Sequence, residues 1–82
     1  HNSLGNLIEH HLDGYFASHG ANLPPDGVYS RVMKEIEGPL IARSLQATRG
    51  NQIRTASLLG LNRNTLRKKI RELEIEVVRA PK

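Results

Sequence analysis

The sequence predicts an all-α domain of four helices, and three observations predict it. Apolar residues recur three and four apart through two long segments, the spacing of one helix face. Two shorter segments follow, each preceded by an Asn able to cap a helix and separated by a Gly able to end one. Strand signals, internal repeats and low-complexity tracts are absent. The stretch "EIEVVRAPK" at 74–82 alternates briefly but is too short and too terminal to be read as a strand.

The first helix is expected over 4–19. Leu4, Leu7, Ile8, Leu12, Tyr15 and Phe16 share one face, and Gly20 can stop the helix in the left-handed conformation. "ANLPPDG" is a loop, since Pro24 and Pro25 cannot extend the helix before them. Asp26 is the expected N-cap of the second helix, which runs to Thr48. It carries Val28, Val32, Met33, Ile36, Leu40, Ile41 and Leu45 at helical spacing. Pro39 lies in its middle and removes one backbone hydrogen bond. Apolar spacing continues on both sides of it, so one long helix bent at Pro39 is expected rather than two.

Gly50 is expected to end the second helix and Asn51 to cap the third, which runs to Leu59. Gly60 then supplies a positive φ just past the helix end, where a Cβ is penalised. Leu61 should drop into the core, and Asn62 should cap the fourth helix. Two helices joined by so tight a turn must cross steeply and pack closely. Small Ala56, then Gly60, then apolar Leu66 form the spacing of a helix-turn-helix over 49–73.

Charge and size set limits on function. The 82 residues make one domain over 1–82, with a tail at 74–82. A chain this short buries little more than ~60% of its unfolded surface. With no cysteine there is no disulfide framework and no thiolate metal site, so oligomerisation is the expected source of further core. No apolar run reaches the roughly 20 residues of a membrane span, and no signal-peptide pattern opens the chain. The chain begins at His1, not Met, as expected for a piece of a longer protein. Residues 1–48 hold three cations and five acids, a net of −2, and residues 49–82 hold nine cations and three acids, a net of +6. Contact with a polyanion therefore belongs to the second half.

The fourth helix carries that charge. Arg63, Arg67, Lys68, Lys69 and Arg71 are five cations in nine residues. At roughly 100° per residue, Leu66, Ile70 and Leu73 fall on one stripe. Asn64, Lys68 and Arg71 point away from it, Arg63 and Arg67 flank one side, and Thr65 and Lys69 flank the other. A solubilising surface helix would mix signs, yet the first acid after Arg63 is Glu72. Such a helix fits the DNA major groove, with its N-terminal residues on base edges and Lys and Thr on phosphates.

On these residues the chain resembles the Fis family, the factor for inversion stimulation. It resembles equally the C-terminal domains of NtrC-type nitrogen-regulation response regulators, which share that helix-turn-helix. The resemblance is carried by Pro39-Leu40, by "TRGNQ" at 48–52, by "GLNRNTLRKKI" at 60–70 and by "GYFASHG" at 14–20. It implies an intertwined homodimer in which the helices of 4–48 form a four-helix core. It implies sequence-specific binding of double-stranded DNA. The apolar start and the tail "LEIEVVRAPK" look more like the regulator, so an NtrC-type transcriptional activator fragment controlling nitrogen-metabolism genes is expected. Upstream receiver and ATPase domains, the latter acting on the enhancer-dependent sigma factor, are then expected outside this chain. The expected place is the bacterial cytoplasm, on the nucleoid. The alternatives are a free-standing Fis-like nucleoid DNA-bending protein and a dimerisation and protein-docking module.

The resemblance also assigns contacts. Asn62 and Arg63 resemble a base-reading pair, and Arg67, one turn later, reaches base or phosphate. Thr65, Lys68 and Lys69 match phosphate-holding positions. Asn51, Gln52 and Arg54 open the third helix, where free N–H groups and a cation suit a phosphate. Asn64 stands where Fis has Gly. Arg49 is read equally as a DNA contact and as a cap of its own helix. Neither enzyme activity, cofactor nor metal is expected. His10, His11 and His19 do not converge on one helix face, and no constellation of an activated group in a concave site is found.

Overall fold

The computed structural model describes residues 3–77. Its helices are α1 (Leu4–Ala17), α2 (Val28–Ala47), α3 (Gln52–Leu59) and α4 (Arg63–Glu72), with no strand among the described residues. The all-α, four-helix expectation holds. The expected domain ends at 1–2 and the tail beyond 77 lie outside the described residues.

α1 begins at a cap that satisfies one of its free donors, the Ser3 hydroxyl accepting from the Asn6 N–H at 3.1 Å. It ends at Ala17, two residues before the expected His19. The Ser18 hydroxyl donates to the Tyr15 carbonyl at 2.7 Å. The N–H groups of His19 and Gly20 reach only three residues back, to Phe16 and Ala17, so the last turn tightens and the α-helix stops.

Asp26 does not cap α2. The cap is Gly27 at φ 96°, with no side-chain cap bond. Arg31, one turn into α2, reaches back to the loop: its guanidinium donates to the Asp26 carbonyl at 2.8 Å, to the Pro25 carbonyl, and to the Tyr15 hydroxyl at 3.1 Å. This anchorage fixes the entry path and leaves residue 27 in the left-handed region, where glycine is cheapest. A Cβ there would also stand 3.3 Å from Arg31 Nη1.

Pro39 lies inside one continuous α2, as the spacing implies. It divides the helix by environment. Every buried residue of α2, namely Ile41, Ser44 and Leu45, follows it. The Ser44 hydroxyl back-bonds to the Leu40 carbonyl at 2.8 Å in the turn just after the proline.

The turn into α3 differs from expectation. Arg49, not Gly50, makes the first left-handed step, at φ 57°, and Gly50 follows at φ 81°. The Arg49 N–H reaches Gln46 O at 3.2 Å and the Gly50 N–H reaches Leu45 O at 2.8 Å. These are the paired bonds of a Schellman ending, shifted one residue earlier than the glycine suggests. The α3–α4 turn is as expected: Gly60 takes φ 74°, its N–H reaches Ser57 O at 3.2 Å, and Leu61 N–H reaches Ala56 O at 2.9 Å.

The core lies in the second half of the chain. Ile41, Leu45, Ala56 and Leu66 are buried together, and Leu59, Leu61, Ile70, Leu73, Ile75 and Val77 pack around them. Leu66 is 0% exposed. α4 ends in a third Schellman turn, with Glu74 at φ 53° and Ile75 N–H on Ile70 O at 3.0 Å, which folds Ile75 back onto that core. Thr55, fully buried, bonds its hydroxyl to Asn51 O at 2.8 Å and pairs with the Thr48 hydroxyl at 2.6 Å, closing the α2–α3 corner. By contrast α1 contains no buried residue. The chain measures 53 × 31 × 22 Å with a radius of gyration of 15.7 Å, against about 12 Å for a compact chain of this length. α1 and the part of α2 before Pro39 form a hairpin that contributes no residue to the core of the packed head.

Candidate nucleic-acid interface

α4 is positioned by its own sequence. The Asn62 Oδ1 accepts from the Asn64 N–H at 2.8 Å and fixes the first turn, leaving the Asn62 amide group to donate outward. Leu66, seated in the core, fixes the rotation of the helix about its axis. Arg63, Asn64, Thr65, Arg67 and Lys68 are consequently exposed together on its N-terminal part. α3 starts in the same way, with Asn51 Oδ1 accepting from Arg54 N–H at 3.1 Å. The next backbone bond, Thr55 N–H to Asn51 O at 2.9 Å, begins the regular helical pattern.

The two helix starts face one open cleft of about 640 Å³, lined by Arg49, Gly50, Asn51, Gln52, Ile53, Arg63 and Arg67. The expected contact residues Asn51, Gln52, Arg63 and Arg67 are thus brought together there. Asn62, Asn64, Thr65 and Lys68 are exposed outside the cleft, Thr65 on the other flank of α4 from Arg63 and Arg67, and Arg54 stands exposed at the third position of α3.

Lys69 is set apart. Its ammonium donates to Glu37 Oε2 at 2.7 Å, across to α2, and both side chains are 28% exposed. The other contact between a basic and an acidic side chain among the described residues, His11 with Glu35 at 3.5 Å, lies in the hairpin. Arg63, Arg67, Lys68 and Arg71 therefore meet no acid among the described residues, and their positive potential is directed outward.

Two lining residues escaped the sequence reading. Ile53 is 63% exposed at the second position of α3, an apolar side chain in a basic cleft. Helical phase would not have found it, since Ile53 lies only about 60° around α3 from buried Ala56. Gly50 lines the cleft in the left-handed turn it shares with Arg49, which lines it as well. Among the described residues no group of three His or acidic side chains is placed to hold a metal ion, and no helix is long and apolar enough to cross a membrane.

The comparisons with known proteins agree with this geometry. The family described as bacterial regulatory protein, Fis family, matches residues 32–73, from the first half of α2 to the end of α4. The DNA-binding transcriptional regulator NtrC of Azospirillum brasilense is 61% identical over 79 residues, 96% of this chain and 16% of the relative. The protein of that name from Rhizobium meliloti is 59% identical over 78 residues, 95% of this chain and 16% of the relative. The DNA-binding protein Fis of Psychromonas ingrahamii is 41% identical over 69 residues, 84% of this chain and 69% of the relative. The chain thus spans about a sixth of the length of the NtrC relatives it matches, and most of the length of a Fis. With a helix-turn-helix carried on a proline-containing helix, and with matches of this extent, the chain belongs to the Fis family of bacterial regulatory proteins.

Proposed function

We propose that this chain binds double-stranded DNA with sequence preference, as a homodimer, and forms the DNA-binding end of an NtrC-type activator of nitrogen-metabolism genes. The observation that carries the reading is the exposed, acid-free N-terminal part of α4 beside the start of α3. In this reading Asn62 and Arg63 enter the major groove and donate to base edges. Arg67 reaches base or phosphate. Thr65, Lys68, Asn51, Gln52 and Arg54 hold phosphates and set the register, and Asn64 lies at the groove wall. Lys69, occupied by Glu37, stands outside that set.

The dimer is supported by the hairpin. Leu4, Leu7, Phe16 and Leu40 are between 44% and 68% exposed, and nothing in the described chain covers them. A second copy laid against the first would bury them in one four-helix core and place two α4 helices for two half-sites. The regulator role, the nitrogen genes, the upstream receiver and ATPase domains, and residence on the bacterial nucleoid are supported by the identity to proteins named NtrC and by the sixth of their length that is matched.

The test is selection of duplexes from a random library by this chain, followed by titration of the winners. The reading expects a recovered site with two related half-sites. A docking module that meets an acidic protein instead would recover no common sequence.

A further inference from the structure

We infer that the ion pair between Lys69 and Glu37 is a strut fixing the angle of α4 against α2, so that Lys69 positions the reading helix for a given half-site spacing and holds no phosphate. This rests on the DNA reading above. Lys69 Nζ meets Glu37 Oε2 at 2.7 Å, between side chains that are 28% exposed, and it joins residues 32 apart in the chain. Of the α4 cations it alone meets an acid among the described residues.

Its place on the helix agrees. At roughly 100° per residue, Lys69 lies about 60° around α4 from Leu66, on the side away from Arg63 and Arg67, whereas Lys68 lies about 160° from Leu66. The ammonium is therefore turned toward α2 while the cleft cations face out. Otherwise α4 and α2 share only the apolar cluster in which Leu66 lies with Ile41, Leu45 and Ala56, with Ile70 and Leu73 packed against it. Apolar contact is non-directional and tolerates small rotations. A charge-assisted hydrogen bond is directional and does not. The anchor point matters too: Glu37 sits two residues before Pro39, where α2 lacks a backbone hydrogen bond and is most easily flexed. Pinning α4 there ties the reading helix to the dimer core rather than only to the packed head. In a two-fold dimer the α2–α4 angle sets the separation and tilt of the two α4 helices, and hence which half-site spacing fits both.

The experiment compares wild type, Lys68→Ala, Lys69→Met, and the exchanged pair Glu37→Lys with Lys69→Glu. Each is titrated with a random-sequence duplex pool between about 50 and 200 mM salt. Each is then titrated with the selected duplex and with the same duplex carrying one extra base pair between half-sites. Lys68→Ala should flatten the log-affinity against log-salt slope by about 1 per subunit. Lys69→Met should leave the slope at the wild-type value and shrink the affinity ratio between the two spacings several-fold. The exchanged pair should restore both that ratio and the melting temperature. A slope flattened by Lys69→Met as much as by Lys68→Ala would make Lys69 a phosphate ligand and overturn the strut. An unchanged spacing ratio would overturn it equally. A wild-type slope near zero would instead remove the DNA reading. The strut then stands or falls on whether the exchange recovers the melting temperature lost in Lys69→Met.

Discussion

α2 passes through two different surroundings, and Pro39 is the border. After it, Ile41 and Leu45 are buried under α3 and α4 within their own chain. Before it, no residue of α2 is buried, and α1 beside it buries none either. The head folds on itself; the hairpin holds comparable apolar character but lacks a third layer to cover it. The chain therefore divides its hydrophobic residues between one intramolecular core and one exposed apolar surface, the surface that the proposed dimer would cover. Each half can thus be damaged separately.

The largest effect is expected at the border. Leu40→Asp puts a charge on the exposed hairpin side one residue from the head core. It should convert a dimer into a monomer at about tens of micromolar in sedimentation, as expected when an obligate-class interface is broken, and with it abolish specific DNA binding. Circular dichroism should still show the helices of the head. If the wild type itself sediments as a monomer there, the hairpin has no partner copy and the comparison fails.

Next comes Leu66→Ala, which should destabilise the head by about 2–5 kcal/mol, a large share of what a domain this size has. Leu4→Ala, by contrast, should leave denaturant unfolding of the head within about 0.5 kcal/mol, as for other exposed sites, and weaken association only. Equal costs for the two would erase the division. Thr55→Val, which removes the hydroxyl joining Asn51 O and Thr48, should cost about 1–3 kcal/mol. The smallest effect is a gain. Arg49→Gly relieves a non-glycine left-handed residue and should raise stability by up to about 1 kcal/mol in urea titration.

The helices were legible because their faces are regular and their caps are local. Asn51 and Asn62 bond to N–H groups two or three residues away, and Gly60 carries its turn alone. What was not legible depended on longer reach. Asp26 lost the cap of α2 because Arg31 arrives from the next turn and fixes the loop, a contact no cap pattern contains. Arg49 took the turn expected of Gly50 because the Schellman bonds are counted from Leu45, whose position the head core fixes. The apolar stripe of α4 was legible too: Leu66, Ile70 and Leu73 lie in or against the core, and Arg63, Arg67, Lys68 and Arg71 are exposed. The pairing of Lys69 with Glu37 links residues 32 apart on different helices, which helical periodicity alone does not reveal.

The placement of the α4 N-terminus in the major groove is tested by Arg63→Ala. Arg63 is the first residue of α4, exposed, and off the Leu66–Ile70–Leu73 stripe. The measurement is the affinity of wild type and Arg63→Ala for a set of duplexes covering every single-base change of the selected site, with circular dichroism to follow folding. Losing a bidentate donor to guanine O6 and N7 should cost about 1–3 kcal/mol per half-site and relax preference at one base position. Helicity should be unchanged. A uniform loss across all bases, or no loss at all, would contradict the placement of the α4 N-terminus in the major groove.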